Sequence, residues 1–165
     1  MLRPHSRARD LANAVVVAVL AVALWPLQAC SAQGDAGGVR LTETDPPLLV
    51  HDYQDSGMEA EITGYLRYIE GGRCFVLEQE GDQKTRNVAV WPSGSEPVRQ
   101  DGALVGVNVP GFGTVVTGQW LKAGGGYVDP GMNVEKVPDV APECLSAGGE
   151  YAIMTQLDWA DGAPR

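Results

Sequence analysis

The chain beyond residue 57 predicts an all-β fold, and three observations carry that expectation. Apolar residues recur with period two in short runs, and glycine, proline and charged residues punctuate those runs at short, even intervals. No stretch holds a helical period over several turns, apart from a weak one at residues 134–140. Ala60, Ile62, Gly64, Leu66 and Tyr68 alternate with polar neighbours and predict a first long strand. Gly71 and Gly72 turn the chain, and Cys74, Phe75, Val76 and Leu77 continue it as a hairpin partner. Gly81-Asp82 makes the next turn, and residues 87–91 form a third strand, stopped by Pro92, Ser93 and Gly94. Residues 103–109 and 114–121 give two more strands, hinged at 110–113, and the cluster Gly124, Gly125 and Gly126 ends the second of them. Residues 151–157 supply a terminal strand. Five or six short strands joined in this way suit a small OB-like closed barrel, because closure removes the exposed edges of an open sheet; a small β-sandwich is the alternative. Gly64 and Gly118 stand where a strand must bend to turn a barrel corner.

The N-terminus has the three parts of an export signal. Arg3, Arg7 and Arg9 form a positive region, and residues 11–24 form an apolar stretch. That stretch is roughly 14 residues long, short of the ~20 that span a bilayer stably. Trp25 and Pro26 break it before Leu27, Gln28, Ala29 and Cys30. The tetrad resembles a bacterial lipobox, with Gln28 as its one less usual residue. The resemblance implies cleavage after Ala29, a diacylglyceryl thioether on Cys30, and an anchor in the cell membrane on its extracytoplasmic face. An ordinary secretory signal cut near Ala29 or Ala32 is the alternative. The expected organisation is a signal peptide at 1–29, a lipidated tether at 30–57 and a β-barrel domain at 58–165.

Cleavage would leave about 136 residues, enough for one domain with a core. The formal charge of the whole chain is −9, and loss of the arginine-rich signal makes the remainder more acidic still. Such a surface repels phosphate backbones and anionic lipid heads, so no nucleic-acid partner is expected.

Residues 31–57 read as the tether. Small and polar residues lead into an acidic stretch and Pro46-Pro47, a composition that cannot fold alone. Leu48, Leu49 and Val50 are the exception and fit a short strand packed on the domain. Asp52, Asp55, Glu59 and Glu61 do not have EF-hand spacing, and His51 is the only histidine beyond the signal, so no metal site is expected.

The succession "GYLRYIEGGRCFVL", "VAVWPSGS" and "VVTGQWLKAGGGYV" is similar to small lipoproteins and secreted domains of high-GC Gram-positive bacteria. The resemblance covers residues 59–128 and implies a small all-β envelope domain. It implies no activity.

With Cys30 committed to lipid, Cys74 and Cys144 remain as an even pair in a disulfide-permissive compartment. A bridge between them would staple the C-terminal segment, which has little core of its own, onto the second strand. Closing a loop of about 70 residues is worth on the order of 4 kcal/mol in the chain-entropy model.

Catalytic patterns are scarce. A Ser-His-Asp hydrolase would have to recruit His51 from the tether, and neither Ser93 nor Ser95 sits in a G-x-S-x-G elbow. Gly124 to Gly126 lacks the Lys and Ser/Thr of a phosphate loop. Glu59 with Glu61, and Glu78 with Glu80, are carboxylate pairs that could cleave a glycosidic bond only if one cleft gathered them. No catalytic residue and no cofactor is therefore expected. Among the aromatic residues Trp91, beside Pro92, fits a core turn, and one of Tyr65 and Tyr68 should face solvent. The function expected is a non-enzymatic binding or structural module that meets an envelope protein or polymer. A hydrolase of envelope polymer is the alternative.

Overall fold

A computed structural model describes residues 38–53, 58–81, 85–131 and 137–158. Cys30, Trp159 and the signal segment lie outside the described residues. The described residues form β1 (Val39–Leu41), β2 (Leu49–His51), β3 (Ala60–Ile69), β4 (Cys74–Glu78), β5 (Arg86–Pro92), β6 (Glu96–Gln100), β7 (Ala103–Val109), β8 (Gly113–Val116), β9 (Trp120–Val128) and β10 (Tyr151–Asp158). A single 3₁₀ turn, Pro142–Cys144, precedes β10. The fold is all-β.

Five strands close a ring. β3 pairs antiparallel with β4 and with β9, β4 with β5, and β9 with β10. β10 completes the circle by running parallel to β5. The ring order β3-β4-β5-β10-β9 is a five-stranded Greek-key barrel of the OB type, not a sandwich. Between β5 and β9 the chain makes a separate antiparallel sheet, β6-β7-β8.

Alternation builds the core. Ile62 and Leu66 of β3, Phe75 and Leu77 of β4, Ala89 and Trp91 of β5, Leu121 and Ala123 of β9, and Ala152 and Met154 of β10 pack into one buried cluster, the barrel interior. Val107, Val109 and Val115 of the small sheet join it. Each large side chain buried in this way contributes roughly 1.5–3 kcal/mol. The intervening residues of β4, β5 and β10 do not meet solvent. Cys74, Val76, Val88, Val90, Tyr151 and Ile153 form a second cluster on the outside of the barrel, covered by Val39, Leu49, Val137, Val140, Ala141, Cys144 and Leu145. These three strands are thus buried on both faces, which explains their nearly continuous apolar runs.

Two expectations are corrected here. The tether assigned to residues 30–57 is, in its described part, folded onto the domain well beyond the short packed strand expected at Leu48, Leu49 and Val50, which is present as β2 paired parallel with β5: Val39 and His51 are buried as well. Strands of three residues hold no readable period; β1 takes its ladder from β2, and β2 takes its own from β5. The run 114–121 is not one strand. Gly118, at φ +87°, makes the turn between β8 and β9 and not a barrel corner. Gly64 does lie within the barrel wall, where an added Cβ would sit 3.1 Å from the Leu77 Cβ.

Candidate functional site

OB barrels take ligands on the outer face of their second and third strands, between the loop that joins strands one and two and the loop that joins strands four and five. Here those strands are β4 and β5, and the described parts of the loops are residues 70–73, 129–131 and 137–150. The outward residues of that face, Val76, Val88 and Val90, are 0%, 1% and 0% exposed. The chain's own segment 137–145 covers them, and a disulfide between Cys74 and Cys144 fixes that segment to the start of β4. The two cysteines are 70 residues apart in sequence and 6.2 Å apart at their Cα atoms. A polymer cannot lie on this face while the cover is in place.

What remains open is a seam. Along the edge of β5 opposite β10, β4 pairs as far as Val76 with Val88, and β2 takes over from Leu49 with Val90. At the hand-over, beside Ala89, lies a cavity of about 110 Å³ whose lining includes Phe75, Ala89, Trp91, Leu48, Val140 and Ala141. Gly72, Arg73 and Asp139 bring the two loops to it. Arg73 is ion-paired with Asp45, which also meets Arg99. Trp91 is fully buried, its ring edge-on to Phe75 at 6.4 Å, and its indole Nε1 has no hydrogen-bond partner among the described residues. Leaving such a donor unpaired costs about 1–3 kcal/mol.

The four carboxylates singled out in the sequence do not gather in one cleft, although Glu59 and Glu61 share one. Glu61 is paired with Lys122 at 2.6 Å, and it shares a shallow depression with Glu59, Gln156 and Asp158. Glu78 and Glu80 do not line that depression. Glu78 stands between Arg67, at 3.8 Å, and Arg86, at 3.7 Å. Glu80 accepts the hydroxyl proton of Tyr65 at 3.1 Å. The packing of the Tyr65 ring and that contact with Glu80 raise the phenol's pKa above its ordinary value. Each of Glu61, Glu78 and Glu80 therefore has its own cation or hydroxyl partner, and the geometry of a paired acid and base is not assembled by them.

Neither serine hydroxyl is paired with His51. Ser95 donates to the carbonyl of Pro92 at 2.7 Å, and Ser93 accepts from the Arg40 guanidinium at 2.8 Å. A hydrogen bond with Ser93, reinforced by the charge of Arg40, holds the Asp52 carboxyl below its usual range. His51 turns away from both serines: its Nε2 meets the carbonyl of Met154 and its Nδ1 the N–H of Tyr53. Among the described residues no group of His, Cys, Asp and Glu side chains is arranged to hold a metal ion.

The outward aromatic residue of β3 is Tyr65, edge-on to Trp120 at 4.9 Å with the Arg67 guanidinium 5.6 Å from its centroid. Tyr68 has the opposite parity and packs on Phe75. The seam cavity had no signal in the sequence, because it arises from two strands sharing one edge of a third. Comparison with protein-family models, curated proteins and solved structures finds no match to the chain.

Proposed function

We propose that the mature chain is a lipoprotein anchored through Cys30 on the extracytoplasmic face of the cell membrane, and that its barrel is a non-enzymatic binding module for an envelope protein or polymer. The lipobox resemblance of Leu27, Gln28, Ala29 and Cys30 supports the anchor. The likeness of residues 59–128 to small envelope lipoproteins supports the location. A disulfide between Cys74 and Cys144 fits an oxidising compartment. The observation that carries the non-enzymatic half is the dispersal of the carboxylates. Glu61 answers to Lys122, Glu78 to Arg67 and Arg86, and Glu80 to Tyr65, while the barrel interior is filled with side chains. The acidic surface disfavours nucleic acid as the partner.

Metabolic labelling with a fatty acid tests the anchor. The wild-type chain takes up label, and Cys30→Ala takes up none and is left unprocessed or released to the medium. Equal labelling of the two would contradict the lipobox reading.

A further inference from the structure

The cover over β4, β5 and β10 stops short of one wall of the barrel, the outer face of β3 and β9 with the adjoining ends of β4 and β5. Glu61, Thr63, Tyr65, Arg67, Trp120 and Lys122 point outward there; none is buried and none belongs to either core cluster. Register sets a row across this wall. Trp120 of β9 stands opposite Tyr65 of β3, Tyr65 opposite Glu78 of β4, and Glu78 opposite Arg86 of β5. Residues directly opposite one another in a sheet share a face, so the four side chains leave the same side, over about 14 Å at ~4.8 Å per strand. The Trp120 and Tyr65 rings meet at 70° with centroids 4.9 Å apart and form a ledge of two partly exposed aromatic residues. Arg67 stands beside it, its guanidinium 5.6 Å from the Tyr65 centroid and its side chain 45% exposed, and the exposed Glu80 accepts from the Tyr65 hydroxyl. The charges along the row cancel. Arg67 and Arg86 flank Glu78, and Glu80 balances the second arginine, in a chain whose net charge is −9. An anionic polymer would meet two carboxylates here and a cationic one two guanidinium groups, whereas an uncharged polar ligand meets no like charge.

We propose that this row binds an uncharged glycan chain, with a sugar ring laid on the ledge of Trp120 and Tyr65 and its hydroxyls turned toward Arg67 and Glu80. This rests on the reading of the domain as an envelope-binding module and names the chemistry of its ligand. A sugar ring has an apolar C–H face and a polar rim. An aromatic face is negative at its centre and draws the C–H face, while donors and acceptors beside it take the hydroxyls. Arg67 offers a fork of N–H donors and Glu80 two acceptor oxygens, and each already has a partner within the row that limits its movement. A protein partner fits this wall less well. Interface cores are depleted in charge and spread over about 1,000 Å² or more, whereas the ring pair here is bordered by Arg67 with Glu78 on one side and by Lys122 with Glu61 on the other. The face that OB barrels ordinarily use is closed next to the row, because Val76 and Val88, the next outward pair on β4 and β5, lie under segment 137–145. A chain lying on the row passes beside that cover and does not have to lift it.

The test follows the ledge itself. Nitrogen-15-labelled full chain in detergent is titrated with chitohexaose and maltohexaose, which are uncharged, and with the hexamer of galacturonic acid, which is anionic. The Trp120 indole cross-peak is assigned by its loss in Trp120→Phe. At least one uncharged hexasaccharide should move that peak with a Kd on the order of 1 mM, and the anionic one should not. Trp120→Ala and Arg67→Ala should each weaken binding at least ~10-fold, read from the remaining shifts. Leu41→Ser, at an exposed apolar residue of another strand, should leave it unchanged. Arg67 is exposed, so its variant keeps the test open if Trp120→Ala fails to fold. No movement with any of the three sugars overturns the proposal. Binding of the anionic hexamer as tight as that of the uncharged ones overturns it as well, and so does binding that both variants leave intact. Sedimentation of the same preparation with cell-envelope polymer separates the two levels. Polymer binding that survives Trp120→Ala and Arg67→Ala removes the row and keeps the binding module. Sedimentation abolished by protease treatment of the polymer overturns the row in favour of a protein ligand, and absence of polymer binding removes both.

Discussion

The Nε2 atom of His51 lies 2.8 Å from the carbonyl oxygen of Met154, a residue 103 positions further along the chain. Met154 stands where β10 has ceased to pair with β5 and just before a register shift against β9, so its carbonyl is not taken up by a regular ladder. The Nδ1 atom of the same ring accepts the N–H of Tyr53 at 3.1 Å. One donor and one acceptor are both satisfied by the neutral tautomer protonated on Nε2. The histidine expected in a tether is a buried tie between β2 and β10.

That tie sets a pH dependence. Burial lowers the His51 pKa, against the opposing hydrogen bond to Met154 and the charge of Asp52. A group whose folded pKa lies below its unfolded value, about 6.5 for histidine, binds more protons when unfolded. Stability from this group is therefore complete above about pH 6.5 and falls as the pH drops through the window between the unfolded and folded values. Urea unfolding between pH 8 and pH 5 should show this loss. His51→Leu should flatten the slope in that window and, by stranding the Met154 carbonyl and the Tyr53 N–H, cost on the order of 2 kcal/mol at pH 8. An unchanged slope would assign the acid sensitivity to other groups.

The disulfide should behave as the fastener of the cover. Cys74→Ala/Cys144→Ala should lose about 2–5 kcal/mol and become open to proteolysis within residues 137–145, because Val76, Val88 and Val90 lose what holds their lid. Mass spectrometry without reduction should show the two cysteine peptides joined in the exported protein. Both thiols alkylated before reduction, or a double variant as stable and as resistant as wild type, would contradict this role.

Gly125 and Gly124 should respond differently to the same small change. A Cβ on Gly125 would collide with the Ile153 carbonyl oxygen and come within 2.9 Å of Ile62 Cδ1, forcing β9 away from β10, whereas at Gly124 the nearest atom is 3.8 Å away. Gly125→Ala should cost roughly 2–3 kcal/mol and Gly124→Ala less than about 1 kcal/mol, compared by thermal unfolding. Equal costs would show that the close approach of the two strands is not tight.

Those glycines also mark where the sequence was legible and where it was not. The cluster reads as the end of a strand because glycine is a turn signal, yet Gly125 is required inside β9 by the backbone opposite it, a cause that lies in another strand. β3, β4, β5 and β10 were readable because alternation or apolar runs between charged turns express their own burial. β2 was legible only as the apolar patch Leu48, Leu49 and Val50, and β1 was not: three residues among acidic neighbours look like linker, and the cluster they join is completed by residues 137–145, far along the chain. The Cys74–Cys144 pair was legible by elimination once Cys30 was set aside. The parallel pairing of β5 with β10, which closes the barrel, and the seam beside Ala89 are both non-local and leave no local trace.

The most direct test of the account combines binding and turnover in one tube. Purified chain is sedimented with cell-envelope polymer, and the supernatant is assayed for new reducing ends and released peptides against a heat-denatured control. The account predicts that the protein sediments with the polymer and that products do not exceed the control, since no two of Glu61, Glu78 and Glu80 share a cleft. Product release that disappears in Glu61→Gln or Glu78→Gln, with the fold intact, would contradict it and make the domain a hydrolase.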